Sequence, residues 1–592
     1  MSGPPDDSSL AGSADRLLVA IARDSRCWLV VLGCASVAGT ATAVLLPAAL
    51  GHTLDALLAV RPGSSEEHTG SVARWLTACA ALATVSTVSS AVASVAGGAS
   101  SVAGTTRLRQ RLIRHSLGRG PELLRSFTPG DAVSRIIGSA ADAGSAPAGV
   151  VSAVAAAIPP VGGVVALGLI NPWLVAAFAI GFPALAVVLR ALVRDSSEVS
   201  LDYQREQGAI TARLLEALAG ARTIAAAGTQ TAERRRILAP LARLRALGDA
   251  SWRIQSRGAA RGMVIAPALE LIVLAVAGVE LARHQITAGE LVAAGQYAGL
   301  AVGLGDSGMA LTQLGHARGA ARRAAGLLAT PRQRHGTARL SPGSGELRLS
   351  GVTVRRGGET VLRDLHLTIP GGAMVAVVGR SGSGKSTLAS VAGRLTDPEA
   401  GSVTLDGTDL RTLSWYALRT AVGYAFERPA LFGATPEDAI GFGVWRPSEQ
   451  EVMDAATAAR AAGFLLRLPD GLRTPLERVP MSGGEAQRLG LARTFAHAPG
   501  ARLLILDDAT SSLDTVTEML VSRALTGQLQ GTTRLIVAHR LTTAARADLV
   551  AWLDEGTVRA LAPHAALWAH PGYRALFTGR PQRAARRWDK AV

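Results

Sequence analysis

Val375-Ala-Val-Val-Gly-Arg-Ser-Gly-Ser-Gly-Lys-Ser-Thr387 is the stretch that decides the fold of this 592-residue chain. Val375 to Val378 is a short β-branched run, the composition of a buried strand. Leu388 to Leu395 reads as a helix, so the glycine-rich segment between them lies in a strand, P-loop, helix order. The glycines let backbone N–H groups converge on phosphate oxygens, and the following helix adds the positive end of its dipole. The candidate phosphate cradle is Gly379, Arg380, Ser381, Gly382, Ser383, Gly384, Lys385, Ser386 and Thr387. Lys385 is placed to reach the β- and γ-phosphates of ATP, and the Ser386 hydroxyl to ligate Mg²⁺.

Two further apolar runs end in chemistry. Leu503-Leu-Ile-Leu506 reads as a buried strand ending in Asp507-Asp508, which delivers a carboxylate beside the phosphates; Asp507 is the expected Mg²⁺ holder. Leu535-Ile-Val-Ala538 ends in His539, placed to contact the γ-phosphate or orient water. Around this half of the chain the composition alternates between strand and helix signals, as an α/β domain does.

The N-terminal half is different. The chain is 48% hydrophobic and only 18% charged, which points to a membrane portion. A span needs about 20 mostly apolar residues. Six candidates lie near Trp28–Leu50, Trp75–Ala96, Val150–Ile170, Trp173–Leu192, Val264–Leu281 and Gly289–Leu311. The sixth is interrupted by Glu290, Gln296 and Asp306. Arginines at 107, 109, 111, 114 and 119 follow the second candidate, and Arg190, Arg194, Arg205 and Arg213 follow the fourth. By the positive-inside rule these connections are cytoplasmic, and six spans then put both termini in the cytoplasm of a multi-pass plasma-membrane protein. The long connections have helical composition, so the spans are expected to continue as helices beyond the bilayer. The net charge of +16 sits mostly beside apolar runs, as in cytoplasmic loops, so nucleic acid is not an expected partner and membrane lipid is. Cys27, Cys34 and Cys79 form no CxxC pair and read as small apolar side chains. Glu270, Glu280 and Asp306 are the charges that could face a pore, with capping of a span's outer end as the other reading of Glu280.

Met481-Ser-Gly-Gly-Glu-Ala-Gln-Arg488 closely resembles LSGGQxQR, the signature of ATP-binding cassette (ABC) proteins. With the P-loop, Asp507, the D-loop Ser512-Leu513-Asp514 and His539, the set resembles an ABC cassette, and six spans ahead of it resemble half of a type IV exporter. The resemblance implies a six-span α-helical transmembrane domain with long cytoplasmic extensions, followed by an α/β P-loop ATPase. The boundaries are then 1–26 for an N-terminal segment, 27–329 for the transmembrane domain, 330–345 for a Pro/Arg/Gly-rich linker, 346–580 for the cassette and 581–592 for a basic tail. It further implies two cassettes meeting head to tail around two ATP molecules, with Ser482, Gly483, Gly484 and Glu485 touching the partner's nucleotide. Thr128–Arg135 resembles the first coupling segment between membrane and cassette.

Three departures from the family pattern matter. The family's catalytic Glu after Asp507 is Asp508, one methylene shorter, so its carboxylate sits about 1.5 Å back. The Q-loop Gln is Glu427, whose carboxylate can still approach Mg²⁺ as a third metal holder beside Ser386 and Asp507, and the aromatic residue that stacks on adenine is Arg356, whose guanidinium can still stack on a base. All three fall on the site built on this chain's own P-loop, while the signature is near consensus. The resemblance therefore implies a heterodimer with a different half-transporter, in which this chain's own site is degenerate and the partner supplies a Glu base. The expected activity is ATP-driven export of a small molecule or modified peptide. Siderophore-like uptake by an exporter-type fold and a homodimeric multidrug or lipid exporter remain the alternatives.

Overall fold

The computed structural model describes residues 7–59, 66–123, 127–303, 307–330, 333–527, 529 and 531–578. The chain divides into two compact units, Met1–Leu117 with Ser126–Pro331, and Gly118–Arg125 with Arg332–Val592. The short stretch Gly118–Arg125 groups with the cassette, and it lies ahead of the Thr128–Arg135 stretch read as a coupling segment.

The first unit is helical: α1 (Asp7–Asp24), α2 (Arg26–Ala59), α3 (Glu66–Arg119), α4 (Ala140–Ala156), α5 (Ile158–Ile170), α6 (Pro172–Ala219), α7 (Leu241–Ala282), α8 (Ala288–Val302) and α9 (Ser307–Leu328), with shorter helices between them. Among the described residues, four stretches are long and apolar enough to cross a membrane: Arg26–Ala59, Gly70–Arg119, Pro129–Ile170 and Gln230–Ala282. The fourth expected span starts in α6, whose apolar helix Pro172–Ala184 is shorter. The sixth is divided between α8 and α9, and Asp306 lies outside the described residues. The 54 residues of α3 are about 80 Å long at 1.5 Å per residue, against a hydrocarbon core of about 30 Å. The helical continuation expected from composition is therefore present in α3, and the 48-residue α6 repeats it.

Small residues set the helix packing. A Cβ on Gly289 would lie 2.0 Å from Gly51 O, so α2 and α8 approach as closely as backbones can. Asp55 locks this crossing by accepting from Thr287 Oγ1 at 2.6 Å and from Gly289 N at 2.7 Å. Thr287 and Glu290 form a capping box that starts α8, which accounts for the glutamate in that candidate span. Glu280 is buried: it accepts from Asn171 Nδ2 at 3.0 Å and from Arg283 Nη1 at 3.0 Å. It ties the α5–α6 turn to the end of α7 through these two side-chain bonds.

The second unit holds two sheets. An antiparallel sheet has the order β2-β1-β4-β5, from β1 (Leu347–Arg356), β2 (Glu359–Ile369), β4 (Ala400–Leu405) and β5 (Thr408–Asp409). A six-stranded sheet has the order β10-β9-β3-β8-β7-β6, from β3 (Met374–Val378), β6 (Val422–Phe426), β7 (Leu503–Asp507), β8 (Thr533–Val537), β9 (Leu549–Asp554) and β10 (Thr557–Ala562). Its central strands are buried on both faces, as parallel strands are. Met374, Ala376, Val378, Leu504, Leu506 and Ile536 enter one core, while Val375, Val377, Leu503, Ile505, Leu535 and Val537 enter the other. Residues 333–345, expected as a linker, lie against the cassette. Arg394, buried, donates to Arg334 O at 2.5 Å and Leu410 O at 2.8 Å, and Gly336 packs on Thr412 where no Cβ fits.

Candidate nucleotide-binding site

Parallel register assembles the site. Val377 of β3 and Asp507 of β7 both pair with Val537 of β8, and Phe426 of β6 pairs with Asp507. The residues that follow these strands, namely the P-loop, Asp508, His539 and Glu427, therefore emerge together at the carboxyl edge of the sheet. That is where open α/β sheets bind ligands.

The loop from Gly379 to Gly384 is shaped by two glycine constraints. Gly384 has φ +100°, and a Cβ there would also meet Leu362 Cδ2 at 2.8 Å; a Cβ on Gly379 would meet Leu553 O at 2.3 Å. The loop ends in helix α10 (Lys385–Ala392), packed into the second core. Lys385 is almost fully buried, and its Nζ donates to Gly379 O and Arg380 O, each at 3.0 Å. Burial depresses its ammonium below the ordinary lysine value, and the carboxylates of Asp508 and Asp507 counter this in part. Ser383 Oγ is buried without a hydrogen-bond partner among the described residues. A cradle open only to glycine backbone, a lysine held on loop carbonyls and an unsatisfied hydroxyl fit the phosphates of ATP.

Ser386 Oγ donates to Asp507 Oδ1 at 2.9 Å, so two of the three expected Mg²⁺ holders are adjacent; the third, Glu427, follows Phe426, which pairs with Asp507. Burial raises the Asp507 carboxyl above its ordinary value; the Ser386 hydrogen bond opposes this, and the charges of Asp508 and Glu427 add to it. This excess of negative charge fits a divalent cation at Ser386 and Asp507.

Asp508 adopts φ +51°, the left-handed region that aspartate tolerates better than most residues. Its Oδ2 lies 3.1 Å from His539 Nε2. The two expected catalytic groups are thus brought into direct contact, and with Glu427 they line one cleft beside Ser511, Glu518 and Arg540. Arg356 is exposed at the end of β1, paired across Gly357-Gly358 with Glu359. Its hairpin partner β2 supplies the Val361 and Leu362 atoms that border Gly384.

The signature opens α11 (Gly483–Ala496). Ser482 is its N-cap, and Glu485 closes a capping box: Ser482 Oγ accepts from Glu485 N at 3.3 Å, and Glu485 Oε2 accepts from Ser482 N at 2.8 Å. The bond from the Ser482 backbone, with a second from Ser482 Oγ at 2.8 Å, holds the Glu485 carboxyl below its ordinary value. Glutamate thus serves as the third helix residue that a capping box requires. A Cβ on Gly484 would lie 3.0 Å from Ser512 O, so the signature packs on the D-loop. Asp514 accepts from Thr517 N at 3.0 Å, at the start of α12 (Thr515–Gly527).

Two features were not singled out by sequence. Gln487 is buried; its Nε2 donates to Glu427 O at 2.7 Å and Ser511 Oγ at 2.9 Å, while its Oε1 accepts from Ser512 N at 2.9 Å. One side chain therefore joins signature helix, Q-loop and D-loop. Its signal was the second glutamine of the signature. Buried Glu518 of α12 pairs with Arg540 and accepts from Thr543 Oγ1 at 3.0 Å, tying α12 to the segment after His539.

Comparison with known proteins agrees with this geometry. A family described as "ABC transporter transmembrane region" matches residues 29–303, and one described as "ABC transporter" matches 362–511. The chain is 48% identical over 550 residues to the "ABC transporter ATP-binding protein RamA" of Streptomyces coelicolor, covering 93% of this chain and 85% of that protein. It is 33% identical over 404 residues to the "ATP-dependent lipid A-core flippase" of Pseudomonas fluorescens, 66% of each. A solved structure described as a bacterial Atm1-family ABC exporter with ATP bound superposes with TM-score 0.77 at 23% identity, over 93% of this chain and 97% of that one, which shows a shared fold. With a transmembrane region and an ABC ATPase domain on one polypeptide, this chain belongs to the ABC transporter family.

Proposed function

We propose that the protein is one half of a heterodimeric exporter that moves a small molecule or modified peptide across the plasma membrane at the expense of ATP. On this reading the site on its own P-loop binds ATP but hydrolyses it slowly, and its signature completes a competent site on a different half-transporter. The observation that carries the reading is the placement of Asp508. Its carboxylate is one methylene short of the family's Glu, and it is engaged by His539 Nε2 at 3.1 Å. By contrast, the half-site offered to the partner is intact, with Ser482 capping α11 and Gln487 holding the D-loop.

In the bound state Ser386 and Asp507 would hold Mg²⁺, which supplies charge neutralisation at the phosphates. Lys385 exchanges two loop carbonyls for phosphate oxygens. His539 and Asp508 hold each other in place at the edge of the cleft. A base displaced by about 1 Å lowers a rate on the order of 100-fold, so a site of this kind favours holding nucleotide over turning it over.

The test is ATPase activity of the purified full chain, alone and co-expressed with a half-transporter encoded beside it, each with and without Asp508→Glu. The expected result is negligible activity alone, a marked gain with Asp508→Glu, and activity in the pair that depends on the partner's own Glu. Robust activity of the lone chain, abolished by Asp508→Ala, would replace the heterodimer with a homodimer in which Asp508 is the base.

A further inference from the structure

A cleft with three arginines lies between the first helix and Arg111 of α3. α1 has two faces. Ala14, Leu17 and Ile21 are buried against the helical bundle, at the i, i+3, i+7 spacing of one helical stripe. Arg16, Val19 and Arg23 repeat the same spacing on the exposed side. With Ala20 and with Arg111 of α3 they line an open cleft. Asp15 and Asp24 also line the cleft, and both are already matched. Asp15 accepts from Arg318 at 2.9 and 2.7 Å, and Asp24 accepts from Arg111 Nη2 at 2.7 Å. Neither Arg16 nor Arg23 is paired with a carboxylate among the described residues.

The position of the cleft selects its occupant. Only Ser25 separates α1 from the apolar stretch Arg26–Ala59, so the C-terminal end of α1 sits at the edge of the bilayer. Trp28, 43% exposed, marks the headgroup level there, where indole rings concentrate. A helix with arginines and an exposed valine on one face at this depth meets lipid headgroups and the upper acyl chains together. Basic pockets between helices at this level are matched to anionic headgroups. We infer that Arg16, Arg23 and Arg111 form a binding site for an anionic phospholipid, the headgroup phosphate on the guanidinium groups and an acyl chain over Val19 and Ala20. Bound there, the lipid bridges α1 and α3.

The test uses the full chain in detergent, titrated with dioleoyl phosphatidylglycerol or dioleoyl phosphatidylcholine and read by native mass spectrometry. Wild type should retain the phosphatidylglycerol at least about fivefold more tightly, the effect of one arginine near a charged surface. The variant Arg16→Gln/Arg23→Gln should lose this preference, while the charge-matched control Arg234→Gln/Arg235→Gln keeps it. All three proteins should retain ATP equally, which shows that they are folded. The proposal is overturned if wild type shows no preference, if the double variant keeps it, or if the control loses it to the same extent. Displacement of the lipid by glycerol phosphate at equal concentration would also overturn it, because the acyl contact would then contribute nothing.

Discussion

Gln487→Leu should loosen two loops that sequence treats as separate motifs. Leucine fills much of the same volume but offers no polar atom. The change leaves the Ser512 amide and the Glu427 carbonyl, both now bonded to Gln487, without partners. Ser511 Oγ can rotate to another partner, so only two groups count. Glu427 and Ser512 are exposed residues whose bonds are only partly buried, so each group left unsatisfied costs about 1 kcal/mol, the low end for a buried polar group. Carried into local opening, that cost raises amide exchange at Ser512 by roughly fivefold. The assay is hydrogen–deuterium exchange of the full chain, following peptides over 508–516 and 424–430. Gln487→Glu separates the two arms. Its carboxylate still accepts from Ser512 N but sets an oxygen against Glu427 O, so the D-loop should stay protected while the Q-loop loosens. If Gln487→Leu leaves both peptides within about twofold of wild type, water replaces the amide without loss and Gln487 does not position these loops.

Asp507→Asn should stabilise the nucleotide-free chain at neutral pH while abolishing Mg²⁺-dependent ATP binding. Burial raises this carboxyl in the fold, so the folded state binds more protons than the unfolded state between the ordinary value of 3.8 and the raised one; stability is lost as pH rises through that window, and the asparagine removes the loss. Thermal unfolding with and without Mg-ATP across pH 4–8 reads both effects, and a destabilised Asn variant at pH 7 would contradict the reasoning. Glu485→Gln should leave ATPase of the assembled transporter within about twofold, since the amide oxygen can still accept from Ser482 N, whereas Glu485→Ala should weaken the start of α11 by about 0.5–2 kcal/mol. Glu280→Leu should lower the melting temperature of the detergent-solubilised chain, because Asn171 and Arg283 both lose their acceptor, with ATP binding to the cassette unchanged.

Much of the cassette was legible because its chemistry is local. The P-loop glycines, the capping Ser482 and the strand-end carboxylates sit within a few residues of the backbone features that need them. What was illegible depends on tertiary neighbours. Gln487 reads as one polar helix residue until β6 and the D-loop arrive beside it. Glu280 reads as a charge in a span until Asn171, more than 100 residues away, meets it. Residues 333–345 carry the proline and glycine of a free linker, and only buried Arg394 shows that they are held. In the membrane half, Ala and Gly blur the hydropathy edges, and helices that continue well past the bilayer leave no boundary to read.

The departures from the family pattern become intelligible when each is asked what it touches. The side chains of Asp508 and Glu427 line this chain's own cleft. The Gln-to-Glu change at 485 lies on the other half-site, yet it satisfies the helix start as glutamine would. On the proposed reading, the substitutions that slow hydrolysis are confined to the P-loop side, and the one on the signature side keeps the helix start. In a homodimer both sites would inherit every change, so the shortened base would slow both. In a pair of different halves each change is felt once, and a chain can lose its own base without disabling the transporter, provided that it still binds ATP and still presents Ser482 to Glu485. The Ser386–Asp507 bond and a Lys385 held on loop carbonyls favour the first condition, and the Gln487 bridge to the D-loop favours the second. A homodimer would need Asp508 itself, or a second residue in its place, as the base, and among the described residues of this cleft the other carboxylates are Glu427, on the Q-loop, and Glu518, committed to Arg540 and Thr543. If Glu427→Gln leaves hydrolysis intact in the assembled transporter, as the heterodimer requires, Glu427 is not that substitute; if it abolishes hydrolysis in the lone chain, the homodimer is restored with Glu427 at its centre.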